Sequence, residues 1–243
     1  MKVPAYHALA VSEASGPTPE ATEPLTIFDC DGVLVDSEML VAAIEAELLG
    51  EFGVEITPAD VAASFVGLSD ADMHRRIEER WSIELPPDFA AEKARRVDRS
   101  IGLELNAVPG IASVLESVVG ARCVASSSRP ERIRASLART GLAHFFGTHV
   151  FSSSMVAHGK PAPDLFLYAA GVMGARPARC VVIEDSPLGV AAGVAAGMTV
   201  IGFTAASHCA RDLPDLLLAT GAGTVATTSE ELTGALESWT KGP

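Results

Sequence analysis

Short apolar runs alternate with helix-length amphipathic segments along most of the chain. The runs have the length and β-branched content of buried strands, and several intervening segments open with proline, which suits the first turn of a helix. This alternation predicts parallel βα units, and therefore an α/β fold with a doubly wound parallel sheet and helices on both faces. The predicted strands are Leu25 to Phe28, Ala121 to Ala125, His149 to Phe151, Val181 to Ile183, Thr199 to Phe203 and Thr224 to Ala226. The predicted helices are Gly110 to Val119, Pro130 to Thr140, Pro163 to Met173, Pro187 to Ala196 and Glu230 to Trp239.

The segment 38–106 breaks the alternation, because it contains helical patterns and no strand candidate. An all-helical insertion after the first strand is best placed as a lid over the carboxyl ends of the sheet, where open α/β folds bind ligands. We therefore predict an α/β core over 25–37 and 107–243 and a small all-helical cap over 38–106. The predicted cap helices are Glu38 to Phe52, Pro58 to Phe65, Asp70 to Trp81 and Pro86 to Leu103.

Composition favours a compact soluble protein. The 243 residues are 48% hydrophobic and 20% charged, and no apolar run approaches the roughly 20 residues that span a bilayer. Residues 1–24 are rich in Pro, Ser, Thr and Glu and lack the apolar stretch of a secretory signal, which predicts a disordered leader. The four cysteines show no CxxC pairing, which favours a reducing cytoplasmic location.

The net charge of −13 argues against nucleic acid as a partner, because backbone phosphates favour clusters of Lys and Arg. Most of the excess negative charge falls in the predicted cap. Any anionic ligand would therefore have to be held by local donors or a cation, while salt screens the repulsive background over about 8 to 10 Å.

The run FDCDGVLVDSE places Asp29 and Asp31 directly after the first predicted strand. Two carboxylates so close raise each other's proton affinity unless a cation or backbone donors lie between them. Gly32 frees the chain to turn sharply, so that both carboxylates can face one small volume. The alternative is an ordinary acidic turn after a strand.

Three later segments, CVASSSRP, HGKPAPDLF and VVIEDSPLGV, decide between these interpretations. With the first run they resemble the four motifs of the haloacid dehalogenase superfamily of phosphohydrolases, in the same order. Within that superfamily the chain is similar to the β-phosphoglucomutase and sugar-phosphatase-like members, which carry a helical cap after the first motif. The resemblance extends from Leu25 to the C-terminus and is weakest in the cap.

The resemblance implies a role for each motif. Asp29 is the candidate nucleophile, and Asp31 is the candidate general acid and base. Lys160 and Ser126 are candidates for holding the phosphoryl group. The cofactor implied is Mg²⁺, held by carboxylate and carbonyl oxygens. The candidate metal ligands are the Asp29 carboxylate, the backbone carbonyl of Asp31 and the Asp185 carboxylate. Glu184 is predicted either to bind the metal directly or to support one of these ligands.

Other residues receive more local predictions. Ser127 and Arg129 are candidates for substrate contact, and Gly67 would let the cap loop approach the metal. Ser128 is predicted to cap the helix that begins near Pro130. Asp36 and Ser37 are predicted to mark the hinge into the cap, with Ser37 capping the first cap helix. His208 next to Cys209 is interpreted as an incidental pair, since no further metal ligand lies nearby in the sequence.

These inferences predict a Mg²⁺-dependent phosphatase acting on a small phosphorylated metabolite, a sugar or sugar-acid phosphate, through an aspartyl phosphate. We expect a monomer or weak homodimer that binds a small phosphate ester, without nucleic acid or membrane partners. The alternatives are a phosphosugar mutase and a catalytically inactive binding module on the same fold. Val41 and Asp70 argue against the mutase, because mutases of this type have a histidine and a basic phosphate clamp there. Phosphonoacetaldehyde hydrolysis needs a cap lysine, and Lys93 lies in the last cap helix.

Overall fold

The computed structural model describes residues 24–65 and 70–241, and the described part is a parallel sheet with helices on both faces. The predicted leader, apart from Pro24, lies outside the described residues. The strands are β1 Leu25–Phe28, β2 Ala121–Ser126, β3 Val150–Ser152, β4 Cys180–Glu184, β5 Thr199–Phe203 and β6 Thr224–Ala226. The helices are α1 Glu38–Gly50, α2 Pro58–Phe65, α3 Asp70–Trp81, α4 Phe89–Glu104, α5 Ile111–Ser117, α6 Pro130–Arg139, α7 Asp164–Val172, α8 Pro187–Ala195, α9 Leu213–Thr220 and α10 Ser229–Lys241.

All six strands are parallel, in the order β3-β2-β1-β4-β5-β6, which confirms the predicted fold class. The direction of strand order reverses between β1 and β4, which pair directly with Phe28 opposite Ile183. In open α/β sheets, ligands bind at the carboxyl ends of the strands at such a reversal. The expected binding site is therefore the edge where β1 and β4 end.

Two hydrophobic clusters cover the two faces of the sheet. Phe28 and Ile183 belong to one cluster, while Ile27 and Val182 belong to the other, as alternation along buried strands requires. The first cluster continues into α1, α3 and α4. The apolar faces of these helices are thus buried together with the sheet.

Helices α1 to α4 follow one another between β1 and the core helix α5, and the described residues of 38–106 contain no strand. Ion pairs join α1 and the residue that follows it to α4: Lys93 contacts Glu45, and Arg96 contacts both Glu47 and Glu51. The boundaries proposed for the cap remain a prediction. No helix in the described part of the chain is long and apolar enough to cross a bilayer.

Helix α9 was absent from the sequence-based prediction. Its sequence LPDLLLAT is short and nearly uniformly apolar at its centre, so it lacks helical spacing. The boundary signals are nevertheless present, with Pro214 in the first turn and Gly221 in a left-handed conformation after the last turn.

Candidate active site

Asp29 lies at the carboxyl end of β1, where the strand order reverses. Its backbone N–H donates to Ile183 O at 3.0 Å and extends the pairing of β1 with β4 by one residue. The carboxylate therefore lies level with Glu184, the last residue of β4. Asp29 is only 7% exposed, so its carboxylate is largely removed from water.

Lys160 joins these two carboxylates. Its ammonium donates to Asp29 Oδ1 and to Glu184 Oε1, each at 2.5 Å, and to Ala125 O at 3.1 Å. Burial alone would lower the pKa of Lys160, but the charges of Asp29 and Glu184 outweigh it and raise the pKa. The structure thus brings together side chains from the first, third and fourth motifs around a permanent cation.

The pKa of Asp29 is well above its ordinary value, mainly because burial disfavours the charged carboxylate. Lys160 opposes the shift, while Glu184, Asp185 and Asp31 add to it by repulsion. One ammonium does not cancel the negative charge of this cluster. The remaining negative charge of the site therefore favours the binding of a further cation.

Glu184 is completely buried, and both of its oxygens have partners. Oε1 accepts from Lys160, while Oε2 accepts from the Ser186 hydroxyl at 3.0 Å. The Ser186 hydroxyl in turn accepts from Gly189 N at 3.1 Å and so caps α8. A Cβ at Gly189 would overlap the Glu184 carboxylate, so α8 can approach this carboxylate only with glycine at that position.

Asp31 is held by two hydroxyl groups and approached by a guanidinium. Ser37 Oγ donates to Asp31 Oδ1 at 2.6 Å, and Ser128 Oγ donates to Oδ2 at 2.7 Å. Arg132 Nη2 lies 3.7 Å from Oδ1. The capping predictions for Ser37 and Ser128 are wrong, since neither α1 nor α6 has a side-chain cap. In a helix cap each hydroxyl would accept from a backbone N–H, whereas here it donates to a charged carboxylate, which makes the stronger hydrogen bond.

The loop after β5 contacts both acidic motifs, which the sequence did not reveal. His208 Nε2 lies 3.1 Å from Asp185 Oδ2, and both side chains are more than nine-tenths buried. Burial opposes protonation, but the bond to Asp185 and the neighbouring Cys209 raise the pKa of His208 to about 10. Ser207 Oγ donates to Asp36 Oδ1 at 2.8 Å, which ties the same loop to the predicted hinge.

The remaining predicted residues of the core take varied positions. Ser126 is 1% exposed, and its hydroxyl accepts from Ser128 N at 3.1 Å. Ser127 is exposed at the end of β2. The Arg129 guanidinium pairs with Asp98 of α4 at 3.0 Å, on the surface. The roles assigned to these residues in substrate contact stay predictions.

Among the predicted cap residues, Gly67 and the side chain of Asp70 lie outside the described residues. Val41 is partly buried against the hydrophobic cluster. Lys93 Nζ contacts Glu45 Oε1 at 2.9 Å, and the two side chains are only 13% and 8% exposed. This pairing of Lys93 is unfavourable for a Schiff-base role, which needs a neutral amine.

The donor set at the carboxyl edge fits a hard cation. Carboxylate oxygens are the ligands that Mg²⁺ prefers. Burial raises the pKa of both Asp29 and Asp185, and repulsion from neighbouring carboxylates adds to it, while Lys160 opposes the shift at Asp29 and His208 opposes it at Asp185. A Cβ at Gly32 would overlap Asp185 Oδ2, so the absence of a side chain lets Asp185 lie against the turn that carries Asp31. Within residues 24–65 and 70–241, no three His, Cys, Asp or Glu side chains already have metal-site spacing. Asp29 and Asp185, with the Asp31 carbonyl, are therefore the candidate ligands, and Glu184 supports them through Lys160.

Comparison with known proteins identifies the family of this chain. A model of the haloacid dehalogenase-like hydrolases matches residues 25–197. The chain is 30% identical to 6-phosphogluconate phosphatase of Escherichia coli over 74% of this chain and 82% of that protein. It is 34% identical to fructose-1-phosphate phosphatase of Escherichia coli over 72% and 93%, respectively.

A solved structure gives the same result. A hydrolase of this family from Deinococcus radiodurans, crystallised with phosphate and sodium bound, is 34% identical. It superposes with a TM-score of 0.78 over 88% of this chain and 95% of that chain. The chain therefore belongs to the haloacid dehalogenase-like hydrolases, as its four motifs predict.

Proposed function

We propose that this enzyme is a Mg²⁺-dependent phosphatase that hydrolyses a phosphorylated sugar or sugar acid through an aspartyl phosphate on Asp29. Its class, a phosphoric monoester hydrolase acting on small phosphorylated metabolites, follows from the family and from the phosphatases among its relatives. The observation that carries the finer proposal is the buried contact of Lys160 with Asp29 and Glu184. Such a cluster of opposite charges at a ligand-binding edge is the arrangement that phosphoryl transfer needs.

In the first step an oxygen of Asp29 attacks phosphorus, and the bond between phosphorus and the ester oxygen breaks. Asp31 donates its proton to the departing alkoxide, so the alcohol leaves neutral. In the second step Asp31 takes a proton from water, whose oxygen attacks phosphorus. The bond to Asp29 then breaks, inorganic phosphate leaves, and Asp31 is protonated again.

The chain's own residues prepare both steps. Lys160 holds the attacking carboxylate and presents positive charge to the phosphoryl oxygens. Asp31 must exchange one of its hydroxyl partners, Ser37 or Ser128, for the leaving oxygen before it can act. When bound, Mg²⁺ neutralises charge on the transferring phosphoryl group and on the surrounding carboxylates.

The test is phosphate release from p-nitrophenyl phosphate and from a panel of phosphorylated sugars and sugar acids. We expect turnover that EDTA abolishes and added Mg²⁺ restores. Asp29→Asn should lower kcat by more than about 10³-fold, since the nucleophile is lost. Asp215→Asn, on the exposed surface of α9, is the matched control and should be unchanged.

Three outcomes would contradict the proposal in whole or in part. Product formation that needs a bisphosphorylated sugar and releases no net phosphate would indicate the mutase. Absence of phosphate release by the wild-type protein from every compound of the panel would indicate a binding module. Substantial turnover by Asp29→Asn would exclude the aspartyl phosphate while leaving the phosphatase class intact.

A further inference from the structure

The Arg132 guanidinium lies beside Asp31 but is not within hydrogen-bonding distance of that carboxylate. Its Nη2 is 3.7 Å from Asp31 Oδ1, an oxygen that already accepts the Ser37 hydroxyl at 2.6 Å. Its Nε is buried and has no hydrogen-bond partner among the described residues. The side chain as a whole is 23% exposed, so part of it is open to solvent.

A buried guanidinium N–H without an acceptor is costly, because it has lost its hydrogen bond to water without gaining another, and native proteins almost always supply one. Nε and Nη2 together form a planar fork that matches the two oxygens of a carboxylate. The competing explanation is an ordered water. Ser136 Oγ, one helical turn further along α6, is also buried without a partner in the described part of the chain and could share it.

The position of Arg132 determines which part of a substrate it would meet. Arg132 lies beside Asp31, the proposed acid for the leaving oxygen, whereas Lys160 contacts Asp29, the proposed nucleophile. A group bound by Arg132 therefore belongs to the leaving alcohol. The neighbouring Glu38 carboxyl is also within electrostatic reach of Arg132, so the surroundings without this guanidinium would repel an anion.

We propose that Arg132 is a specificity-determining residue that binds a carboxylate on the leaving group. This inference rests on the phosphatase function proposed above and narrows its substrate class to phosphorylated sugar acids. A carboxylate seated on the fork would give the buried Nε its acceptor and would replace the long contact to Asp31. A simple sugar phosphate offers only neutral hydroxyl groups at this position, so its hydrogen bonds to Arg132 would be weaker.

Two matched substrate pairs test the proposal: 6-phosphogluconate with glucitol 6-phosphate, and 3-phosphoglycerate with glycerol 3-phosphate. The members of each pair differ only by a carboxylate in place of a hydroxymethyl group. We expect the wild-type enzyme to prefer the acid by at least about tenfold in kcat/KM in one pair. Arg132→Met should lower kcat/KM for that acid by about 10- to 150-fold, the loss expected for a charge-assisted hydrogen bond. The paired alcohol should change by less than about threefold.

The control variant is Arg134→Met, which removes an exposed arginine from the same helix and should leave both members of each pair unchanged. Arg132→Lys keeps the charge but not the fork, and should still lose most of the preference. It also serves if Arg132→Met fails to fold, as judged by circular dichroism.

An equal loss on both members of a pair would overturn the proposal, because Arg132 would then act through Asp31. Retention of the preference by Arg132→Lys would also overturn it, as would a wild-type enzyme that prefers neither acid. Absence of phosphate release from every ester is a different result, since it refutes the proposed function itself.

Discussion

Lys160 and Asp29 are 131 residues apart in the chain, yet the Lys160 ammonium donates to Asp29 Oδ1 at 2.5 Å. The same ammonium contacts Glu184, so one cation serves two buried carboxylates. Removing one member of such a buried group leaves uncompensated charge, which costs more than the contact itself. Stability and chemistry are therefore coupled at this edge of the sheet.

Lys160→Met should lower the free energy of unfolding in EDTA by about 3–5 kcal/mol, because Asp29 and Glu184 lose their cation. Mg²⁺ should restore part of the lost stability if it binds at these carboxylates. Denaturant unfolding with and without Mg²⁺ measures both effects. Lys241→Met, at the exposed end of α10, is the control and should change stability by less than about 0.5 kcal/mol. If Lys160→Met were as stable as the wild type in EDTA, Lys160 would not be needed to compensate the two carboxylates.

Gly32→Ala should lower the free energy of unfolding by more than the cost of a left-handed backbone at a non-glycine residue. Gly32 has φ +80°, and an added Cβ would overlap Asp185 Oδ2. Gly53 has φ +78° with nothing near its added Cβ, so Gly53→Ala isolates the backbone cost of about 1–2 kcal/mol. Gly32→Ala should exceed that by a further roughly 1–3 kcal/mol from overpacking, and should raise the Mg²⁺ concentration needed for half-maximal activity. Equal losses of stability in thermal melts of the two variants would refute this contact.

Glu38→Gln should stabilise the protein at alkaline pH. Burial, followed by repulsion from Asp31 and Asp185, raises the pKa of Glu38 from 4.5 to about 7, with His208 and Arg132 opposing the shift. A folded state that binds its proton more tightly loses stability as pH rises between those values, by at most about 3 kcal/mol.

The variant should therefore be more stable than the wild type by about 1–3 kcal/mol near pH 8 and equal to it near pH 4. Denaturant midpoints at both pH values, measured in EDTA, test this difference. Glu55→Gln, in an exposed loop, is the control and should show no such pH dependence. A gain of Glu38→Gln that is the same at both pH values would contradict the assignment.

The pair Glu45 and Lys93 should behave as a buried ion pair between α1 and α4. Glu45→Met and Lys93→Met should each cost about 3–5 kcal/mol, whereas the double variant should cost much less than their sum. The more exposed pair Arg96 and Glu47, studied in the same way, should show coupling below about 1 kcal/mol. Additive costs for Glu45 and Lys93 in urea unfolding would show that the two groups do not interact.

The alternation of apolar runs and helical segments was enough to predict the parallel sheet, because buried parallel strands need uniformly apolar sequences and crossover helices. The family resemblance implied that Asp29 and Glu184 belong to one site, and the structure places them side by side because β1 and β4 are paired and end at one edge. The contact of Lys160 with both follows from the same topology, although only the family resemblance suggested this lysine. Helix α9 shows the limit of periodicity, because a short apolar run has no amphipathic spacing.

What the sequence determined by itself was the strand pattern, the order of the motifs and the family they resemble. Only the tertiary structure decided which polar groups meet. Ser128 had the position of a helix cap, but its hydroxyl donates to Asp31, 97 residues away in the chain. His208, which the sequence suggested only as an incidental neighbour of Cys209, reaches Asp185 because the loops after β4 and β5 lie side by side. Local sequence encodes backbone preference and periodicity, whereas a hydrogen bond between distant loops depends on how the strands between them are placed.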